Sequence, residues 1–176
     1  MSSAAPTIQA QFNRVKAMLL RCVNWSLQQD SLLQIRNKAV SGWSPAEHLE
    51  HVGLANRSIL GALKGFVGAP EPVQAAEMSE MAKGFFAAGM IPRGVAKHPD
   101  FVAPQGVALD YLRRELQSVL DDYKAIESEI VALAGSKATV SHPILGPLTA
   151  QQWLRFVEIH TRHHLDILRD TSGASL

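Results

Sequence analysis

The residues best suited to chemistry are two histidines, His160 and His164, which lie four positions apart near the C-terminal end of the sequence. In a helix, residues four apart lie one above the other on the same face. The other members of that face are apolar: Trp153, Phe156, Val157, Ile167 and Leu168. Because unpartnered imidazoles are costly to bury, the pair predicts either hydrogen bonds to a neighbouring helix or one divalent metal ion that binds both rings.

The composition favours a single globular domain over residues 1–176 and excludes several classes of protein. A hydrophobic fraction of 47% is ample for a core, and a formal net charge of +1 without a basic block argues against a nucleic-acid partner. The single cysteine, Cys22, excludes an internal disulfide and a cysteine-based zinc site. No apolar run reaches about 18 residues, so no membrane span is predicted, and a cytoplasmic location is expected.

Helical periodicity predicts four long helices and no strand. They run from about Thr7 to Gln29, from Ser44 to Leu63, from Val107 to Ala134 and from Thr149 to Arg169. Ser44 and Thr149 are good N-caps, and Glu47 completes a capping box with Ser44. The predicted fold is therefore all-α, a four-helix bundle.

The connection between the second and third helices is unusually long. Residues 65–106 are rich in glycine and proline, and only Glu77 to Ala88 could form a short helix there. Connections of this length are usually functional or disordered. We expect a crossover loop or insertion that covers one end of the bundle.

A third metal ligand must come from another helix, and the second predicted helix offers His48 and His51. His48 falls near the centre of the apolar face of that helix, whereas His51 falls on its flank. Periodicity therefore favours His48 as the inward residue and does not exclude His51.

Two segments resemble signatures of the DinB-like superfamily. The first is Trp43-Ser-Pro-Ala-Glu-His-Leu-Glu-His51, and the second runs from Gly146-Pro-Leu-Thr149 to His160-Thr-Arg-His-His164-Leu. They lie about a hundred residues apart, on the helices where that family carries them. The resemblance does not extend to the glycine- and proline-rich middle of the chain.

The resemblance implies a four-helix bundle in which three histidines hold a divalent metal ion, here His51, His160 and His164. Three imidazoles would leave coordination positions open, which is typical of a catalytic site. Zinc, nickel, iron and manganese all suit such a site. His48 stands where the family usually has an aliphatic residue, so it is a candidate helper: a supporting residue, a substitute ligand or a general base.

Other polar residues near the two segments have weaker claims. Glu47, Glu50, Glu158 and Asp166 are expected to lie on solvated helix faces. His98 is predicted to be a turn residue, His142 to lie in a loop near the mouth of the site, and His163 to lie beside the ligand face.

The implied function is that of a metal-dependent enzyme acting on a small molecule, either a hydrolase or a thiol-dependent S-transferase. Similar proteins include S-transferases that use bacillithiol or mycothiol, so the partner expected is a low-molecular-weight thiol. The alternative is a non-catalytic metal-binding or stress-responsive bundle. A homodimer is also expected, because the long connection carries apolar residues that must form an interface or roof the site: Phe66, Val67, Phe85, Phe86, Met90 and Ile91.

Overall fold

The computed structural model describes residues 7–70, 76–94 and 98–173, which form a mostly helical structure. Within these ranges the α-helices are α1 (Ile8–Ser26), α2 (Asp30–Leu33), α3 (Pro45–Lys64), α4 (Glu80–Ala88), α5 (Leu109–Ala125), α6 (Glu127–Ala132) and α7 (Ala150–Ser172). Two short strands, β1 (Val140–His142) and β2 (Gly146–Leu148), precede α7. Parts of the predicted long connection, 71–75 and 95–97, lie outside the described residues.

Side-chain caps fix where the long helices begin. The hydroxyls of Thr7, Ser44 and Thr149 each accept a hydrogen bond from a backbone N–H of the first turn of α1, α3 and α7. Glu47 and Gln152 complete capping boxes by accepting from the backbone N–H of Ser44 and Thr149. The predicted starts of α3 and α7 are confirmed, so the positions of His48, His51, His160 and His164 on their helices follow from these caps.

The core lies between the four long helices. Helix α1 packs against α5 and α7, and α3 packs against the same two helices from the other side. Buried polar contacts also join these helices: the Tyr123 hydroxyl on α5 donates to Asn56 Oδ1 on α3 over 3.1 Å, and Gln11 on α1 donates to the Glu158 carboxylate on α7 over 3.0 Å. Among the described residues, no helix is long and apolar enough to cross a membrane.

The predicted helix from Val107 to Ala134 is two helices. It is interrupted at Ile126, whose ψ of 2° departs from helical geometry, and α6 follows α5 after this break. The shorter helix packs on α1, where the Glu127 carboxylate accepts hydrogen bonds from Gln9 and Lys16. Periodicity did not reveal the break because buried positions continue on both sides of it.

The expectation of no strand is wrong at one place. Strands β1 and β2 form an antiparallel hairpin in which Val140 pairs with Leu148 and His142 with Gly146. The His142 Nδ1 accepts from the backbone N–H of Ile144 and of Leu145 within the turn, and Gly146 closes it with a φ of +77°. Each strand has only three residues, too few for an alternating pattern to be visible in the sequence.

Helix α4 is shorter than the predicted Glu77–Ala88 because Ser79 caps it. The Ser79 hydroxyl also donates to the carbonyl oxygen of Leu145 in the hairpin turn. At the other end, the guanidinium of Arg162 on α7 donates to the carbonyl oxygen of Gly89. The helix is thus held at both ends, beside the face of α7 that carries the histidines.

Candidate metal centre

Three histidines from two facing helices meet at one point. His51 on α3 and His160 and His164 on α7 each offer a ring nitrogen, and these three atoms lie within 4.8 Å of one another. All three side chains are at most 9% exposed. This is the set that the family resemblance implied, and it is an arrangement that could hold a metal ion.

The distances suit a shared cation. His51 Nε2 lies 3.1 Å from His160 Nε2. Two imidazole nitrogens bound at about 2.0–2.1 Å to one tetrahedral zinc ion lie roughly 3.3–3.4 Å apart, so only a small adjustment would be needed. The alternative, in which hydrogen bonds to a neighbouring helix satisfy each histidine, is met only in part by His160: its Nε2 contacts His51 on α3, but its buried Nδ1 has no hydrogen-bond partner among the described residues.

The surroundings keep these imidazoles neutral. Burial lowers the pKa of His51, and it lowers the pKa values of His160 and His164 well below the usual range of histidine. The neighbouring imidazoles lower both further, because a second positive charge in the cluster is disfavoured. A neutral imidazole has a free lone pair, which is the form that binds a metal.

A backbone carbonyl selects the nitrogen that His51 presents. His51 Nδ1 lies 2.8 Å from the carbonyl oxygen of Val102, which belongs to a 3-10 turn at Asp100–Val102. Because a carbonyl can only accept, Nδ1 must carry the proton and Nε2 is left free to face His160. Hydrogen bonds of this kind commonly orient histidine ligands of metals. The sequence pattern could not identify Val102, because its backbone carbonyl oxygen, and not its side chain, makes the contact with His51.

The Glu50 carboxylate holds the chain just after that turn. Its two oxygens accept from the backbone N–H groups of Gln105, Gly106 and Val107 at 2.8, 2.9 and 3.3 Å. Glu50 is only 7% exposed, so the expectation of a solvated helix face is wrong for it. The residue beside His51 on α3 therefore anchors the segment that supplies the Val102 carbonyl.

His48 supports the cluster from the side. Its Nδ1 lies 3.0 Å from His164 Nδ1, and its Nε2 lies 2.8 Å from the hydroxyl oxygen of Ser41. Burial lowers the pKa of His48 to about 4. With both nitrogens engaged, His48 fits the role of a supporting residue, whereas His51, which the helical wheel ranked second, lies in the cluster itself.

The cluster opens onto a cavity of about 680 Å³, within the range of small-molecule sites. Its walls are largely apolar and aromatic, formed by residues of α3, α4, α7, the hairpin and the long connection; the large aromatic members are Trp43, Phe85, Phe101, Trp153 and Phe156. Trp43 packs against the rings of His48, His51 and His98. No carboxylate lies among the described residues that line this cavity.

The remaining sequence candidates lie around the cluster. His98, expected as a turn residue, lines the cavity, as do His142 and His163. Glu158 is buried beneath Gln11 and Arg155 and does not reach the cavity, so it too is not on a solvated face. Asp166 is half-exposed and pairs with Arg169.

A comparison with protein families gives one finding. The family model of the DinB superfamily matches residues 11–168, which covers both histidine-bearing helices and nearly the whole chain. No curated protein and no solved structure gives a significant match.

We expect that replacing His51, His160 or His164 by alanine abolishes stoichiometric binding of a divalent metal, because each removes one of three ligands. Metal content of protein purified without a nickel column is the measurement. His98→Ala is the matched control, since it removes a histidine from the same cavity but not from the cluster, and it should retain metal. If His48→Ala lost the metal while His51→Ala kept it, His48 would be the ligand on α3.

We expect that Glu50→Gln weakens metal binding by about tenfold, the lower end of the roughly 10–100-fold loss caused by removing groups that orient ligands, and destabilises the fold by about 1–3 kcal/mol. The glutamine side chain replaces one carboxylate oxygen with an NH2 group, which cannot accept from the backbone N–H groups that it faces. The segment that carries Val102 is therefore held less firmly. Zinc competition with a chelator and urea unfolding measure the two effects. Glu158→Gln is the control: it removes a buried carboxylate on α7 instead of α3, and it should lower the stability of the fold without a comparable loss of metal affinity. Equal losses of metal affinity in both variants would contradict the role of Glu50.

Proposed function

Because this chain belongs to the DinB superfamily, we propose that it is a metal-dependent enzyme that acts on a small molecule. The observation that carries the proposal is the convergence of His51, His160 and His164 at the wall of a cavity of about 680 Å³. They would bind one divalent ion: zinc, nickel, iron or manganese. We also propose that α1, α3, α5 and α7 form the four-helix bundle of this family.

Of the two reaction types, the cavity favours thiol transfer over hydrolysis. A bound divalent ion lowers the pKa of a thiol or a water molecule that reaches it. A water molecule then benefits from a general base, and no carboxylate lies among the described residues that line the cavity. A thiol starts from a pKa of about 8.5 and can lose its proton directly to solvent.

The balanced reaction is a substitution. The thiol R–SH loses its proton, its sulfur forms a bond to an electrophilic carbon of R′–X, the C–X bond breaks, and X leaves with the electron pair and takes up a proton. The chain would contribute three ligands and the aromatic wall, including Trp43 and Phe156, that surrounds the reacting atoms. His48 would hold His164 in place through the contact between their Nδ1 atoms.

The homodimer is a further part of the proposal. Of the apolar residues in the long connection, Phe66 is buried in the core and Phe85 and Ile91 line the cavity, whereas Val67 and Met90 are 47% and 62% exposed. Phe85 and Ile91 support a roof role for this segment, and the exposed side chains of Val67, Met81, Met90 and Phe101 are the apolar surface that an interface would cover.

Light scattering at micromolar concentration tests the oligomeric state, with twice 19.2 kDa expected. A monomer mass would remove the dimer from the proposal. Deletion of Glu77 to Ala88 separates the two roles of the segment: loss of the dimer with metal retained indicates an interface, and an intact dimer with a more accessible metal indicates a roof.

A screen of thiols with electrophilic acceptors tests the enzymatic proposal. We expect turnover that requires both the thiol and the metal, and that falls to background in His160→Ala while His98→Ala still turns over. Hydrolysis of activated esters without a thiol would indicate the hydrolase instead. Full metal content with neither activity would favour the alternative, a non-catalytic metal-binding protein.

A further inference from the structure

The charged residues that line the cavity are all of one sign. Lys38 and Arg93 are the cationic side chains among the described lining residues, and no Asp or Glu lies with them. The remaining polar lining includes histidines and the hydroxyls of Ser41 and Ser58. Both cationic residues are exposed to solvent, which places them where the cavity meets the surface.

Lys38 is free to bind an anion. Its ammonium group makes no ion pair with a described carboxylate, in contrast to Lys16, Lys83 and Lys124, which are each paired. It lies in the turn that precedes α3, together with Ser41 and Trp43, which also line the cavity.

Arg93 is fixed in position by a carboxylate outside the cavity. One of its terminal nitrogens lies 2.7 Å from Asp170 Oδ2 near the end of α7. Asp170 offsets part of the charge and is shared with Arg169 at 3.0 Å. A guanidinium has five N–H donors in a planar fork, so the pair with Asp170 leaves donors for a second anion.

The other walls of the cavity strengthen the positive potential of Lys38 and Arg93. They are aromatic and aliphatic, and low-dielectric walls focus the field of nearby charges into a cleft. A divalent ion at the cluster would add to the positive potential. A cationic ligand would meet repulsion along this path, and a neutral one would gain nothing from Lys38 or Arg93.

We propose that the ligand of this cavity is an organic anion with an apolar body, whose acidic group binds Lys38 and Arg93 while its opposite end reaches His51, His160 and His164. The inference rests on the proposed function of the same site, because the end that reaches the cluster is taken to be the thiol. It adds the substrate class: a small thiol that carries a carboxylate or similar acid, with an aromatic or aliphatic part between the two groups.

The test uses three thiols of matched shape and different charge: 4-(mercaptomethyl)benzoate, 4-(mercaptomethyl)benzyl alcohol and 4-(mercaptomethyl)benzylamine. Binding to zinc-loaded protein is followed by tryptophan fluorescence, since Trp43 and Trp153 line the cavity, and by calorimetry. We expect the anion to bind about tenfold more tightly than the alcohol, equivalent to about 1.4 kcal/mol, and the amine to bind most weakly. The preference should shrink at high salt, because exposed charges are screened.

Variants test whether Lys38 and Arg93 cause the preference for the anionic thiol. Lys38→Gln should reduce it severalfold and Lys38→Glu should reverse it, with unchanged affinity for the alcohol and unchanged zinc content. Arg93→Gln should also reduce it; because this variant leaves Asp170 without Arg93, its unfolding is measured alongside. Lys64→Gln is the matched control, since Lys64 is an exposed lysine without a described ion pair that does not line the cavity, and it should keep the full preference.

The outcomes separate this inference from the proposed function. Equal binding of the three thiols, or a preference that survives in Lys38→Glu, would overturn the anion proposal while leaving thiol binding at the metal intact. If no thiol binds to protein with full zinc content, the proposed thiol function fails and the anion proposal fails with it.

Discussion

The burial of imidazole rings between α3 and α7 is the constraint on which the arrangement of this protein depends. A buried ring nitrogen needs a partner, and here most partners are other histidines: His51 faces His160, and His48 faces His164. Such a group tolerates little positive charge, as the lowered pKa values show. Four neutral imidazoles side by side are costly to maintain as a simple core, and a bound cation would turn their mutual contacts into ligand bonds.

Around this cluster, each structural element has a separate task. Capping boxes fix the helix registers, the core between α1, α3, α5 and α7 fixes the distance between the two histidine-bearing helices, and the long connection supplies contacts from outside the helices. The Val102 carbonyl settles the tautomer of His51, and the Glu50 carboxylate holds the backbone that follows it. The three clustered histidines are thus positioned by two helices, and His51 is oriented by a loop.

The sequence revealed those parts of the site that are periodic. The spacing of His160 and His164 on an apolar face placed both inward, and the caps at Ser44 and Thr149 fixed where their helices begin. The choice between His48 and His51 was beyond periodicity, because both residues are buried and only their positions relative to α7 distinguish them. The resemblance of the segment from Trp43 to His51 to the family motif pointed to His51. The contacts of Val102 and Glu50 could not be predicted, since they join residues about 50 positions apart through backbone atoms whose placement no side-chain pattern encodes.

The connection between α3 and α5 has two parts, which differ in how far their sequence and length can change without disturbing the histidine cluster. Its last part, residues 98–107, contacts His51 through Val102 and α3 through Glu50, so a change of length there would disturb the histidine cluster itself. Among the described residues, the part that contains α4 makes hydrogen bonds to Leu145 and Arg162 and contacts Phe156 through Phe85, with no hydrogen bond to the four clustered histidines. Substitutions in the α4 region can therefore change the shape of the cavity during evolution. They would change which molecules the protein binds and leave the histidine cluster as it is.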